Sequence, residues 1–312
     1  GNSKYLWKDG CKLKTPYCSR LLIPTCDCAV LNVDNHNYSE FPKIILSDMK
    51  NMRTIKMTNG PLNGLPNNFK DHDMTKVNKI ELNYNNINAM PENFLSGLKV
   101  TSLKLESNRL SCLPGSVWGH EHLVYVDLSN NNISEVHPNI KEAKTMQSLH
   151  LSNNTLQILP SEIGETNLIW LCLEGNHFNS IPTAVLKLHR TLHALRLNNQ
   201  NISKLPEDIG SLRLGELDLR NNNISFLPAS FNNFNKLKLL FLHNNPVCKI
   251  SSEKVKEIVI HNKGDQETTG CVAQCSEYCQ DLWLSYKTCW PQCNTPKCFK
   301  IREEKYGKVD CA

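Results

Sequence analysis

The sequence contains no apolar run longer than a few residues among its 312 positions. A helix that crosses a bilayer needs about 20 consecutive apolar residues, so we predict no transmembrane segment. The chain also begins without the apolar core of a secretory signal, and Gly1-Asn2-Ser3 resembles the start of a mature or trimmed chain. We therefore expect that a signal peptide has been removed and that the protein is secreted.

A sustained run of one charge sign is also missing. The net charge of +5 is spread along the chain, and the local excess of lysine in residues 1–20 is interpreted as a solvated edge. A nucleic-acid surface needs a continuous basic stripe. We therefore predict no nucleic-acid partner.

Zinc-type C-x2-C pairs are absent although the chain has 14 cysteines. Close pairs such as Cys26 and Cys28 leave zinc open as an alternative, but the flanks hold few histidines. Four cysteines precede the central part of the chain and eight follow it, and such even clusters indicate disulfide frameworks made in an oxidising compartment. The cysteines predicted to form disulfides are Cys11, Cys18, Cys26, Cys28, Cys248, Cys271, Cys275, Cys279, Cys289, Cys293, Cys298 and Cys311.

Asn-x-Ser/Thr sequons also favour secretion. Their weight is limited because the repeat described next generates the pattern Asn-x-Ile-Ser by itself. The candidate glycosylation sites are Asn37, Asn132, Asn153, Asn201 and Asn223.

A short motif, L-x-x-L-x-L-x-x-N-x-L-x-x-L, recurs every 22–25 residues, and the copy at Leu123–Val136 shows its structure. The alternation Val126-Asp127-Leu128 has a period of two, which predicts a very short strand with one buried face. Such a strand cannot bury that face alone, so neighbouring copies must stack on it. After a degenerate copy at Cys28, the full copies begin at Met52, Val77, Val100, Leu123, Met146, Leu168, Leu192, Leu214 and Leu237.

These repeats resemble the leucine-rich-repeat family over roughly residues 28–250. The resemblance implies an α/β-type solenoid, a right-handed curved array of about ten coils with a parallel β-sheet on its concave face and disulfide-rich caps. We expect an N-terminal cap at 1–42, which includes the degenerate first repeat, and the array at 43–250. A C-cap helix and loop at 251–270 and a small disulfide-rich module at 271–312 follow.

An asparagine recurs within the apolar pattern. Because an amide carries both donors and an acceptor, we predict that it satisfies backbone groups of its own coil and the next one. Gly60, Gln200 and His36 replace it in three coils, which we expect to be locally less regular. The asparagines are Asn85, Asn108, Asn131, Asn154, Asn176, Asn222 and Asn245.

The cysteine-rich flanks resemble the caps of extracellular leucine-rich-repeat proteins. Cys26 and Cys28 are too close to bridge each other comfortably, so each is expected to pair with Cys11 or Cys18. At the other end, an Asn-Pro dipeptide two residues before Cys248 is similar to the family's transition from the last repeat to the C-terminal cap.

The tail resembles a Lin-12/Notch repeat, a three-disulfide calcium module, because C-x3-C-N-x3-C begins at Cys289 and Asp310 precedes the last cysteine. The resemblance implies the pairs Cys275–Cys298, Cys279–Cys293 and Cys289–Cys311, and leaves Cys248 and Cys271 to close the repeat cap. Calcium needs six or more oxygen ligands, and only Asn294 and Asp310 match the family's ligands. We therefore expect a degenerate module without its ion, and no cofactor.

Outward side chains of successive strands in this fold form columns about 4.8 Å apart. One column places Tyr125 and Trp170 on either side of Ser148, which predicts an exposed slot with aromatic walls. Trp, Tyr and Arg dominate protein-recognition hot spots, although the same residues could simply pack on one another. The candidate ligand-binding residues are Tyr125, Asp127, His150, Trp170, Cys172, Arg196, Asp218 and Phe241.

Three residues of the central column, Asp127, His150 and Cys172, follow the order of a nucleophilic triad. A solenoid aligns such residues by chance, and no oxyanion hole is evident. We therefore predict no enzyme activity and keep a thiol enzyme as a remote alternative. Cys112 lies three coils from Cys172, near 15 Å by strand spacing and beyond disulfide reach. Both are predicted to be free thiols.

The family resemblance implies an extracellular recognition protein or receptor ectodomain that binds a protein or peptide on its concave face. The alternative is a secreted inhibitor or a matrix- or wall-associated structural protein without signalling. A downstream membrane span or kinase in the full-length gene would distinguish the two.

Overall fold

The computed structural model describes residues 30–41, 52–67, 69 and 75–247. Within them, ten short strands form a single sheet in which every strand pairs in parallel with its neighbours in sequence order. This order confirms the predicted solenoid. The strands are β1 (Val30–Asp34), β2 (Thr54–Thr58), β3 (Lys79–Glu81), β4 (Ser102–Lys104), β5 (Tyr125–Asp127), β6 (Ser148–His150), β7 (Trp170–Cys172), β8 (Ala194–Arg196), β9 (Glu216–Asp218) and β10 (Leu239–Phe241).

The inward-facing residues of every strand enter one continuous apolar core. They are the central residues of the three-residue strands and the second and fourth residues of β1 and β2. In β5, Val126 is buried and pairs with Leu103 of β4 and Leu149 of β6. The return segments contribute the other side of this core through short helices that stack on one another. They are the α-helix α1 (Gly115–Trp118) and the 3-10 helices Pro138–Glu142, Ser161–Glu165, Thr183–Leu188, Ile209–Ser211 and Ala229–Asn233.

Every coil leaves its strand through one residue with a positive φ, immediately before the repeating asparagine position. Asparagine and glycine adopt this left-handed conformation at the lowest cost, and eight of the ten positions hold one of them. In the sequence, this turn position is visible as a second asparagine directly before the repeating one, but its conformational role was not predicted. The residues are Asn35, Asn59, Tyr84, Ser107, Asn130, Asn153, Gly175, Asn199, Asn221 and Asn244.

The repeating asparagine satisfies backbone groups as predicted, but the second coil that it serves is the preceding one. Asn131 Nδ2 donates to the carbonyl oxygens of Leu105 in the preceding coil (2.9 Å) and Leu128 in its own coil (3.0 Å). Its Oδ1 accepts from the backbone N–H of Leu110 at 3.0 Å, again in the preceding coil. The predicted bond to the next coil is therefore wrong, because the turn directs the asparagine side chain back towards the preceding coil.

The coils without this asparagine keep the strand register, and their local irregularity is confined to the hydrogen bonds made at this position. Gln200 Oε1 accepts from the N–H of Phe178 and its Nε2 donates to the carbonyl of Leu173, both at 2.9 Å, so the longer amide still reaches the preceding coil. At the N-terminal end, β1 and β2 pair over five residues. There the ring of His36 fills the space beside Gly60.

Of the predicted N-terminal cap, residues 1–29 lie outside the described residues, whereas its degenerate first repeat is described and supplies β1. The C-terminal helix, the Lin-12/Notch-like tail, the twelve flanking cysteines, Asn294 and Asp310 also lie outside the described residues. Within the described residues, no helix is long and apolar enough to span a membrane.

Candidate functional site

The outward-facing columns predicted from the repeat are present in the sheet. Strand pairing places Tyr125, Ser148 and Trp170 side by side in β5, β6 and β7. The same pairing aligns the central column. That column is Asn32, Lys56, Glu81, Lys104, Asp127, His150, Cys172, Arg196, Asp218 and Phe241.

The predicted exposure of this surface is only partly correct. Tyr125 and Trp170 keep accessible surface, as half-buried side chains, whereas six of the eight candidate residues are buried. Outward side chains on parallel strands stand close enough to pack on one another, and several of them form ion pairs or ring contacts with a neighbour. The buried candidates are Asp127, His150, Cys172, Arg196, Asp218 and Phe241.

Contacts from three neighbouring residues hold the Tyr125 ring in place. Its hydroxyl lies 3.3 Å from Asp127 Oδ2, its centroid lies 4.9 Å from that of His150, and Lys104 Nζ lies 5.4 Å from the same centroid. A ring that is fixed before binding loses little conformational entropy when a partner docks. Trp170 is similarly in edge contact with the ring of His193, with centroids 6.1 Å apart.

Asp127, His150 and Cys172, which follow the order of a nucleophilic triad, do not form a nucleophilic site. His150 Nε2 lies 2.7 Å from Ser148 Oγ, and burial lowers the pKa of His150 to about 4. Cys172 is disulfide-bonded, so our prediction of a free thiol there is wrong; the distance argument had excluded only Cys112 as its partner. A disulfide sulfur cannot act as a thiolate nucleophile. Cys112 is a free thiol, as predicted, and it is exposed.

Two ion pairs lie at the surface of β8 and β9, and all of their charged groups are buried except that of the half-buried Arg220. Arg196 Nε and Nη2 each lie 2.7 Å from Glu216 Oε1. The guanidinium of Arg220 binds both carboxylate oxygens of Asp218, at 2.8 and 2.7 Å, and lies 5.3 Å from the ring of Phe241. Burial raises the pKa of Glu216 even though Arg196 opposes this shift. Breaking such a buried pair leaves an uncompensated charge, so the pairs fix the shape of this surface.

Two residues near this surface were missed by the sequence analysis. Tyr84 is 49% exposed, and its hydroxyl donates to Glu106 Oε1 at 3.2 Å. Burial and the neighbouring carboxylate of Asp127 raise the pKa of Glu106. The available signal was the aromatic residue at a position where most coils have asparagine.

All five sequon asparagines have exposed side chains. Four of them, which directly follow the repeating asparagine position, share one place in the repeat: Asn37, Asn132, Asn201 and Asn223. Asn153 instead has a positive φ, and its Nδ2 donates to Asn130 Oδ1 at 2.9 Å. Glycosylation of these residues remains a prediction.

Stacked parallel strands and a recurring asparagine define a repeat solenoid. A sequence profile described as Leucine Rich Repeat matches residues 122–141, 145–165 and 213–234. The chain carries leucine-rich repeats and folds as a leucine-rich-repeat solenoid. No curated protein sequence matches the chain significantly.

Solved structures of several repeat proteins are similar to this chain. A leucine-rich-repeat protein of Leptospira interrogans is 25% identical with a TM-score of 0.57, over 69% of this chain and 60% of that one. The plant peptide hormone receptor RGFR1, in complex with RGF2, is 25% identical with a TM-score of 0.50, over 64% and 37%. The functional domain of InlJ from Listeria monocytogenes is 19% identical with a TM-score of 0.56, over 70% and 44%, and is similar in fold alone. This chain therefore spans less than two thirds of each.

Proposed function

We propose that this protein is an extracellular recognition protein, secreted or part of a receptor, that binds a protein or peptide through its concave sheet. The observation that carries the proposal is the accessible pair of rings, Tyr125 and Trp170, two strands apart with the small Ser148 between them. Strand spacing puts their backbones about 10 Å apart, which leaves room for a side chain of an extended ligand.

The residues around these rings favour a binding surface over a catalytic site. Asp127 and His150 are buried and hold Tyr125, and the disulfide at Cys172 removes the only thiol of the column. Rigid aromatic anchors surrounded by residues that exclude water are typical of binding hot spots. The plant receptor RGFR1, which shares the fold, is a peptide hormone receptor solved with RGF2 bound, and this supports a peptide or protein ligand here.

Two features of the sequence support an extracellular location. The flanking cysteines occur in even clusters, and the five sequon asparagines are all exposed in the folded array. Neither feature requires a membrane anchor within this chain.

Photo-cross-linking tests the proposed surface. Benzoylphenylalanine replaces Ser102, which lies beside Tyr125 in the sheet, and in a second protein it replaces the exposed Glu135 outside the sheet. The probe is a dodecapeptide selected on the wild-type protein from a random displayed library. We expect cross-links from position 102 and none from position 135. Cross-links from position 135 alone would refute the proposal.

A further inference from the structure

Tyr84 has a backbone conformation that its side chain disfavours. Its φ is +58°, at the turn position where seven other coils have asparagine and one has glycine. A bulky residue in the left-handed region is an outlier, because its Cβ crowds the following carbonyl oxygen. Such strain persists where the residue is needed for something other than folding.

The side chain of Tyr84 is also presented to solvent in a fixed position. The residue is 49% exposed, and it is one of three large apolar residues that are exposed to this degree or more among the described residues. The hydroxyl donates to Glu106 Oε1 at 3.2 Å, and the same oxygen lies 3.4 Å from Asn130 Nδ2. The backbone N–H of Glu106 donates to Asn83 Oδ1 at 2.9 Å. Ring and carboxylate are therefore held together at the edge of the concave sheet.

The charges around this pair favour a positively charged group. Glu106 and Asp127 influence each other electrostatically, and Lys104 is the cation that acts on Glu106. Two carboxylates against one lysine leave one negative charge. The next charged pair along the sheet, Lys56 and Glu81, carries no net charge because its opposite charges form an ion pair with Nζ and Oε1 3.1 Å apart.

We propose that Tyr84, together with the Glu106 carboxylate that accepts its hydroxyl, contacts a basic side chain of the ligand. A lysine or arginine of the bound peptide would lie over the Tyr84 ring, which attracts cations through its electron-rich face. Its N–H groups would donate to the free oxygen of Glu106 in a charge-assisted bond. This inference rests on the proposed function, because it assigns one specificity position within that recognition surface.

The test uses the substitution Tyr84→Asn, which installs the residue that the turn prefers. The matched control is Ser107→Asn, which makes the same change at the equivalent turn of the next coil, where φ is +55°. Wild type, both variants and Glu106→Gln are used as baits for a random dodecapeptide display library. The readouts are the frequency of lysine and arginine in the selected peptides and the Tm of each protein.

We expect wild type and Ser107→Asn to enrich a basic residue at one peptide position by about fivefold or more, and Tyr84→Asn and Glu106→Gln to lose that enrichment. The Tm of Tyr84→Asn should equal or exceed that of wild type, since the strain is relieved. Equal enrichment by Tyr84→Asn and wild type, or a clear fall in its Tm, would overturn the inference and leave the proposed function standing. A library from which wild type selects no peptide at all would overturn both.

Discussion

The imidazole ring of His36 occupies the space that a side chain at Gly60 would need. A Cβ built on Gly60 would collide with His36 Cε1 and Nδ1, and His36 itself is buried. The two residues hold the same repeat position in successive coils. In the first two coils, the large ring of His36 and the absent side chain of Gly60 thus replace two of the repeating asparagines.

This pairing predicts that Gly60→Ala destabilises the array. The added methyl group must displace a buried ring, and overpacking of this kind typically costs about 1–3 kcal/mol. The double variant His36→Ala/Gly60→Ala should lose less stability than the sum of the two single variants, because the collision is gone. Urea unfolding followed by circular dichroism measures all three. Strict additivity would show that the two residues do not share the space.

The hydrogen bonds of the repeating asparagine predict that substitutions at two adjacent asparagines, Asn154 and Asn153, differ greatly in their effect on stability. Asn154→Ala leaves the N–H of Ile133 without a partner and removes one of the two amide donors to the carbonyl of Leu128, so we expect a loss of about 2 kcal/mol. The matched control Asn153→Gly keeps the positive φ in an exposed residue and should change stability by about 0.5 kcal/mol or less. The same unfolding experiment compares them. Similar losses of stability at both positions would contradict the role given to the repeating asparagine.

Acid sensitivity should depend on His150. Burial lowers its pKa to about 4, and Arg196 and Lys104 act in the same direction while Asp127 opposes them. The native protein thus binds fewer protons than the unfolded chain between about pH 6.5 and pH 4. Stability from this group is complete above pH 6.5 and falls as the pH approaches 4, by up to about 3 kcal/mol.

His150→Gln removes this proton and keeps a side chain that can bond to Ser148. Unfolding curves of wild type and variant at pH 7 and pH 4.5 separate His150 from the carboxyl groups, which titrate in both proteins. We expect the stability difference between the two pH values to be smaller in the variant. Equal pH dependence in both proteins would show that His150 is not the group responsible.

The two cysteines of the array should differ in reactivity. Cys112 is free and exposed, whereas Cys172 is disulfide-bonded. Maleimide added to the native protein should label the peptide containing Cys112 and leave Cys172 unlabelled until a reductant is added. Peptide mass spectrometry reads both sites, with Cys112→Ser as the control for labelling at that site. Labelling of Cys172 without reductant would contradict the disulfide.

The repeat was predictable because each coil repeats one energetic requirement. Positions such as Val126 must be apolar to bury the strand, and Asn131 must be an amide to satisfy two coils, so both recur and reveal register and strand order. The direction of the Asn131 bonds could not be derived, because it depends on which coil the turn faces. The ring of His36 also compensates Gly60 through space, which a single repeat pattern does not show.

The candidate surface was predictable in its order but not in its exposure. Register places Tyr125, Ser148 and Trp170 side by side whatever their environment. Burial of Arg196 and Asp218 depends on ion pairs with Glu216 and Arg220, which lie one strand away or two residues further on. The disulfide of Cys172 depends on long-range contacts that the local pattern does not contain. Tyr84 was missed because the aromatic residue at this repeat position becomes informative only once the positive φ of the turn is known.

The affinity of a selected peptide for ring-deleted variants tests recognition by the concave sheet most directly. The dissociation constants of one fluorescein-labelled dodecapeptide, selected on wild type, are measured with Tyr125→Ala, Trp170→Ala and the control Phe226→Ala. Phe226 is an aromatic residue of the array that is 49% exposed outside the sheet. We predict about tenfold or weaker binding by the first two variants and unchanged binding by the control. Wild-type affinity in both sheet variants would contradict the account.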